Sequence, residues 1–300
     1  MKTFQTLFIK RLSLIPKQLL MLKLYFTIPV LLTAIFALPQ SDFSASHLDS
    51  LKANVYWDSA NHSNLYSQRR QLYLDSALAI LPRYAWWWQQ KSMPLYKQHK
   101  YQAGKPFVDS AVKYDPGEWM EYRAFLDCIF QKDYITAISD FREARNIHGN
   151  SGVMDHSYDF YTGLSYLQLN QFDSAAYYIN VSIDRIMAKL GDNWVNTTEL
   201  FYAGIVQYEK ENYDSAISYF NKALKIYKNF SDAKYYCAEC YIAKKEYKQA
   251  LSFALEADND FKQGYSIVED NAVYELYPYQ INQHYYLDNM VKYLKQKTGE

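Results

Sequence analysis

Residues 199–224 read Glu199-Leu-Phe-Tyr-Ala-Gly-Ile-Val-Gln-Tyr-Glu-Lys-Glu-Asn-Tyr-Asp-Ser-Ala-Ile-Ser-Tyr-Phe-Asn-Lys-Ala-Leu224. They form the centre of a unit of two short helices joined by a tight turn, about 197–230. Ala203-Gly204 lies in the first helix, Tyr213 in the turn, and Ala216, Phe220 and Ala223 in the second. A helix pair of this kind buries its apolar face only by stacking on copies of itself, and copies are present. Residues 231–264 repeat the register with Cys237-Ala238, Tyr241, Tyr247, Ala250 and Ala257. Upstream, 156–189 offers Gly163, Tyr166, Phe172 and Ala175, with Ser182 at its later small position. Residues 118–151 offer Ala124, Tyr134, Ala137, Phe141 and Ala144, and 85–118 offer Trp88, Tyr101, Gly104, Ala111 and Asp115-Pro116.

These residues resemble the tetratricopeptide repeat, a 34-residue pattern with small residues where two helices cross closely and a large apolar residue where units pack. The resemblance covers about 85–264, with insertions at Gly152–Asp155 and Leu190–Asn196, and departs from the pattern at Phe125 and Ser182. It implies an all-α chain: a right-handed superhelical solenoid of stacked antiparallel helix pairs. The structural positions are Gly104, Ala111, Ala137, Phe141, Gly163, Ala175, Gly204, Ala216, Phe220 and Ala250. Residues 47–84 form an opening helical segment with Leu74, Ala77, Leu78 and Leu81 in one stripe before Pro82. Within it, 51–84 read as a degenerate first repeat, because Asp75-Ser-Ala77 is matched 34 residues later by Asp109-Ser-Ala111. Residues 265–300 leave the pattern, but Leu287, Met290, Val291 and Leu294 stripe a last helix that would cap the stack.

Composition agrees with long helices: nine Gly and eight Pro in 300 residues, against 31 Tyr. Residues 1–41 hold Lys2, Lys10, Arg11, Lys17 and Lys23 and no acid, so the remainder of a chain with 32 basic and 32 acidic residues is weakly acidic. Such a body is a poor match for nucleic acid, where phosphate neutralisation dominates binding. After the basic stretch, Leu24–Ala37 is a 14-residue apolar run, short for a membrane span of about 20 residues and suited to a signal sequence. We therefore expect residues 1–46 to be a signal peptide or membrane anchor. The body would be exported to a bacterial periplasm or, alternatively, anchored in the inner membrane by residues 24–39.

No constellation reads as catalytic. The six histidines are scattered, Asp155-His156-Ser157 is adjacency without geometry, and no phosphate-binding or nucleophile-elbow motif occurs. Cys237-Ala-Glu-Cys240 falls inside a helix and has no second pair to complete a metal site; no metal and no cofactor are expected. Asp-Ser-Ala occurs at Asp58, Asp75, Asp109, Asp173 and Asp214. It resembles a bacterial O-glycosylation sequence, and Asp173 and Asp214 also suit helix N-caps.

The resemblance places a concave groove on the first helix of each unit. Its candidate positions are Trp86, Tyr96, Trp119, Tyr122, Phe130, Phe160, Phe201, Tyr208 and Tyr235, an aromatic face without the Lys, Arg and Asn that grip a peptide carboxylate. The expected function is a non-catalytic scaffold for a protein or peptide partner in the cell envelope. Two alternatives stand beside it: the groove is filled by residues 265–300, or it stacks sugars on Trp and Tyr. Of Trp86-Trp87-Trp88, helical rotation puts at least one on the packing side, and Trp88 is the expected one.

Overall fold

The computed structural model describes residues 40–191 and 194–300. The chain divides into Met1–Ser44 and a compact body, Ala45–Glu300. The basic stretch and apolar run at the N-terminus lie outside the described residues. Among the described residues no helix is long and apolar enough to cross a membrane.

The body is a succession of antiparallel helix pairs. An opening pair, α1 (Gln40–Asn61) and α2 (Gln68–Ile80), precedes five repeats: α3 (Ala85–Tyr96) with α4 (Tyr101–Tyr114), α5 (Pro116–Leu126) with α6 (Tyr134–His148), α7 (Tyr158–Gln168) with α8 (Phe172–Leu190), α9 (Thr197–Glu209) with α10 (Tyr213–Ile226), and α11 (Ser231–Ala243) with α12 (Tyr247–Lys262). α13 (His284–Thr298) closes the chain.

Four of the five repeats turn in the same way because the same local chemistry recurs. His99, Asn170, Glu211 and Lys245 sit at positive φ after the first helix. The next amide closes a six-residue ring: Lys100 to the Leu95 carbonyl, Gln171 to Tyr166, Asn212 to Gln207 and Glu246 to Tyr241, each 2.9 Å. This satisfies carbonyls that a helix end would otherwise leave open. The second repeat differs: α5 continues into a π-helical turn, Asp127–Gln131, before Lys132 takes the positive φ. That turn follows Phe125, the large residue that stands where the other units are small.

Small residues let the two helices of a pair touch. A Cβ on Gly204 would run into the Phe220 ring, and one on Gly163 would lie 2.6 Å from Ile179 Cγ1 and 3.0 Å from the Ile179 amide nitrogen. Ala111, Ala137, Phe141, Ala175, Ala216, Phe220 and Ala250 are fully buried, and Gly104 packs under the Tyr96 ring. One continuous apolar cluster runs from Tyr96 to Cys240. Trp87, not Trp88, goes deepest among the three tryptophans, joining Ala53, Ala60, Leu74, Ala77 and Leu78 of the opening pair. Trp88 also packs, stacked on Phe107 and Tyr114 of α4.

The N-cap expectation for Asp173 and Asp214 needs correcting. Gln171 and Asn212 occupy the caps, and the two aspartates in the first turn instead reach the next repeat, Asp173 to Lys210 at 2.6 Å and Asp214 to Lys244 at 2.7 Å. At the far end, Leu287, Met290 and Leu294 of α13 bury against α12, so the last helix does cap the stack.

Candidate functional site

Between Gly264 and α13 the chain has no helix, and residues 265–283 lie along the first helices of the repeats as an out-and-back loop. Its outgoing limb alternates as an extended chain must: Ile267 and Glu269 are buried while Val268 and Asp270 face out. One carboxylate holds both ends. Asp232, buried at the start of α11, accepts from the Ser266 hydroxyl (2.8 Å) and the Ile267 amide (3.2 Å) with one oxygen, and from the Ile281 amide (2.6 Å) with the other. Burial lifts its carboxyl to about 6 against the opposing pull of those hydrogen bonds.

The turn at 270–275 reaches the first two repeats. The Lys97 ammonium lies 4.4 Å over the Tyr274 ring, the Tyr101 hydroxyl donates to Glu275, and Lys132 lies 3.7 Å from Glu275 and donates to the Leu276 carbonyl at 2.9 Å. On the return limb the Tyr202 hydroxyl donates to the Pro278 carbonyl at 2.7 Å and Tyr279 donates to Glu209 at 2.8 Å. Tyr277 is buried in the middle, beside Tyr161. The loop thus touches side chains from all five repeats.

At its midpoint is a buried ionic network. The insertion ahead of α7 folds as a small hairpin, β1 (Gly152–Val153) antiparallel to β2 (His156–Ser157), with Met154 at positive φ and Gly152 too close to the His156 carbonyl for any Cβ. The hairpin delivers His156 between two glutamates: Nδ1 lies 3.3 Å from Glu199 of α9 and Nε2 3.1 Å from Glu269 of the loop. The ring stacks on Phe160 at 4.1 Å. Ser182 donates to the other Glu199 oxygen at 3.0 Å and shares a 2.7 Å hydrogen bond with Ser157, the N-cap of α7. Burial pushes the imidazole down, but hydrogen bonds to both glutamates and their charge outweigh it and raise it to about 9. His156 is therefore an imidazolium with both N–H groups committed, a clamp between body and loop.

The aromatic positions chosen from the sequence do not gather into one surface. Tyr96, Tyr122, Phe130, Phe160 and Phe201 are buried, and Trp86, Trp119, Tyr208 and Tyr235 are half-buried. Phe201 packs on Phe220 and Phe230. Trp86 meets Trp57 edge-on at 4.3 Å, and Trp119 meets Tyr122 edge-on at 5.9 Å. The loop is met by the next residue along, Tyr161, Tyr202 and Tyr236, a rotation of about 100° around each helix. Lys97, Lys132, His156, Glu199 and Asp232 were not among the candidates. Two of their neighbours were visible as irregularities, Ser182 at a small-residue position and the insertion Gly152–Asp155 that ends just before His156. The three cysteines are free and buried, and burial lifts the Cys128 and Cys240 thiols to about 12. Among the described residues no group of His, Cys, Asp and Glu is placed to hold a metal.

Comparison with known proteins agrees with this architecture. Residues 207–265 match the tetratricopeptide-repeat family model. No curated protein matches the chain by sequence. Among solved structures, PilW, a widely conserved type IV pilus biogenesis factor, superposes with a TM-score of 0.54 at 14% identity, covering 72% of this chain and 94% of that one. The Cut9–Hcn1 hetero-tetramer structure gives 0.55 at 10% identity over 86% of this chain and 49% of that one. Yeast Tom70 gives 0.52 at 16% identity over 82% and 47%. Identities this low speak to the fold alone. The family model covers the end of α9 through α12, and the rest of the body continues the same helix-pair architecture, so the body has the tetratricopeptide-repeat fold.

Proposed function

We propose that this protein is a scaffold of the bacterial cell envelope that grips an extended segment of a partner protein along the face now covered by residues 265–283. The repeat fold supports a protein-interaction role in general, and proteins built this way are in general non-catalytic scaffolds. The observation that carries the finer reading is how that face holds the loop. Lys132 and Tyr202 donate to loop carbonyls, and Asp232 accepts from loop amides. Side chains that bind main-chain groups select an extended backbone before they select a sequence. The envelope location rests on the basic stretch and the apolar run of residues 24–37, read as an export signal or, if retained, an anchor.

The test uses the loop as its own probe. In a full chain whose residues 265–283 are replaced by a Gly-Ser linker of equal length, a labelled synthetic peptide of residues 265–283 should bind saturably, read by fluorescence anisotropy. A scrambled peptide of the same composition should bind more weakly. Absence of binding in a chain that keeps its helical circular dichroism would refute the reading.

A further inference from the structure

We infer that residues 265–283 are an autoinhibitory plug, which must leave the face as a unit before an acidic extended segment of a partner takes its place. The inference rests on the proposed function and adds the regulation and the charge of the partner.

Three observations carry it. The first is attachment: both limbs are pinned at one residue, Asp232. The loop leaves α12 through Gly264 at φ +84 and rejoins the fold at α13, whose Met290 and Leu294 pack on α12 without a loop residue, while Leu287 shares its cluster with Ile281 of the loop. A segment with neighbouring ends and a helix anchored behind it can swing off the face without unravelling a repeat. The second is charge. The loop contains Glu269, Asp270 and Glu275 and no Lys or Arg, and the face answers with His156 at Glu269 and Lys132 and Tyr101 at Glu275. Complementary charge of this kind chooses the class of ligand. The third is that the clamp at the midpoint is ionic and loses its counterion when the loop departs.

His156 is faced by Glu199 from α9, Glu269 from the loop, and Phe160 and Tyr161 from α7. Asp155 is its neighbour in the chain, and Ser182 of α8 reaches it only through Glu199. With the loop gone, Glu199 still holds one imidazole nitrogen and the other points at the vacated face, ready for a carboxylate from outside. Lys97 and Lys132 are freed at the same moment. An acidic segment would then meet the same cations in the same order.

The experiment compares full-length wild type with Glu269→Gln, which alters only the loop, and His156→Gln, which alters the body. The probe is the labelled peptide of residues 265–283. A closed plug lowers the apparent affinity of any competitor by the fraction of open molecules, so Glu269→Gln is expected to bind the peptide at least about tenfold more tightly than wild type. His156→Gln should open the loop too, seen as faster amide exchange across 265–283, but bind the peptide less tightly than Glu269→Gln because its cation is gone. Equal affinity of wild type, Glu269→Gln and the Gly-Ser chain would overturn the plug and leave the binding face standing. Failure of the peptide to bind even the Gly-Ser chain would overturn both.

Discussion

At the scale of single residues, His156 decides how tightly the loop is held. Its ring is buried against Phe160, an environment that would strip its proton, and two glutamates keep the proton on. Because its folded value, about 9, lies above that of a free imidazole, about 6.5, the stabilisation is fully present below about pH 6.5 and lost as pH rises through 9. The difference corresponds to a clamp worth on the order of 3 kcal/mol. Denaturant unfolding of wild type and His156→Gln from pH 6.5 to 10 should therefore give a stability gap that shrinks steadily with pH. Parallel curves would mean that His156 does not carry the proton between the glutamates.

At the scale of elements, the repeat is set by how closely its two helices approach. In α7 the small residue is Gly163, and the nearest atoms to an added Cβ include the backbone of α8 as well as the Ile179 side chain; in α9 it is Gly204, and the nearest atoms all belong to the Phe220 ring. A ring can tilt, whereas a helix backbone moves only with its whole segment. Gly163→Ala should thus lower stability by about 2–3 kcal/mol and Gly204→Ala by about 1–2 kcal/mol, read as shifts in the urea midpoint. The reverse order would place the tighter constraint in the wrong pair. These positions were legible in the sequence because a repeat shows its packing as period: Gly104, Gly163, Gly204 and Ala216 recur in one register, and each is buried where that register puts it. The face was legible only to within one residue. Phe201 and Tyr202 are both large and aromatic, so composition cannot say which turns outward. What turns Phe201 inward is its fit against Phe220 and Phe230, a contact made in three dimensions.

At the scale of the whole molecule, the feature beyond the reach of a periodic reading is the loop. Lys97 meets Tyr274 across 177 residues, His156 meets Glu269 across 113, and Tyr202 meets Pro278 across 76. None of these pairs belongs to a repeat, and none leaves a spacing to find. Five repeats stacked on nearest neighbours behave as a row of coupled units; the loop adds contacts along that row and ties its first repeat to its last. A segment that carries no repeat pattern therefore lies along the stack and spans it, and this is the central structural claim. Its most direct test is a photo-crosslinking benzoylphenylalanine in place of Tyr274 in the full chain. Because Tyr274 lies against Lys97, irradiation should give an intramolecular cross-link to the C-terminal end of α3 and the start of α4, at residues 93–101, independent of protein concentration. Cross-links absent from that segment, or confined to α12 and α13, would show that the loop does not lie along the repeats and would contradict the account.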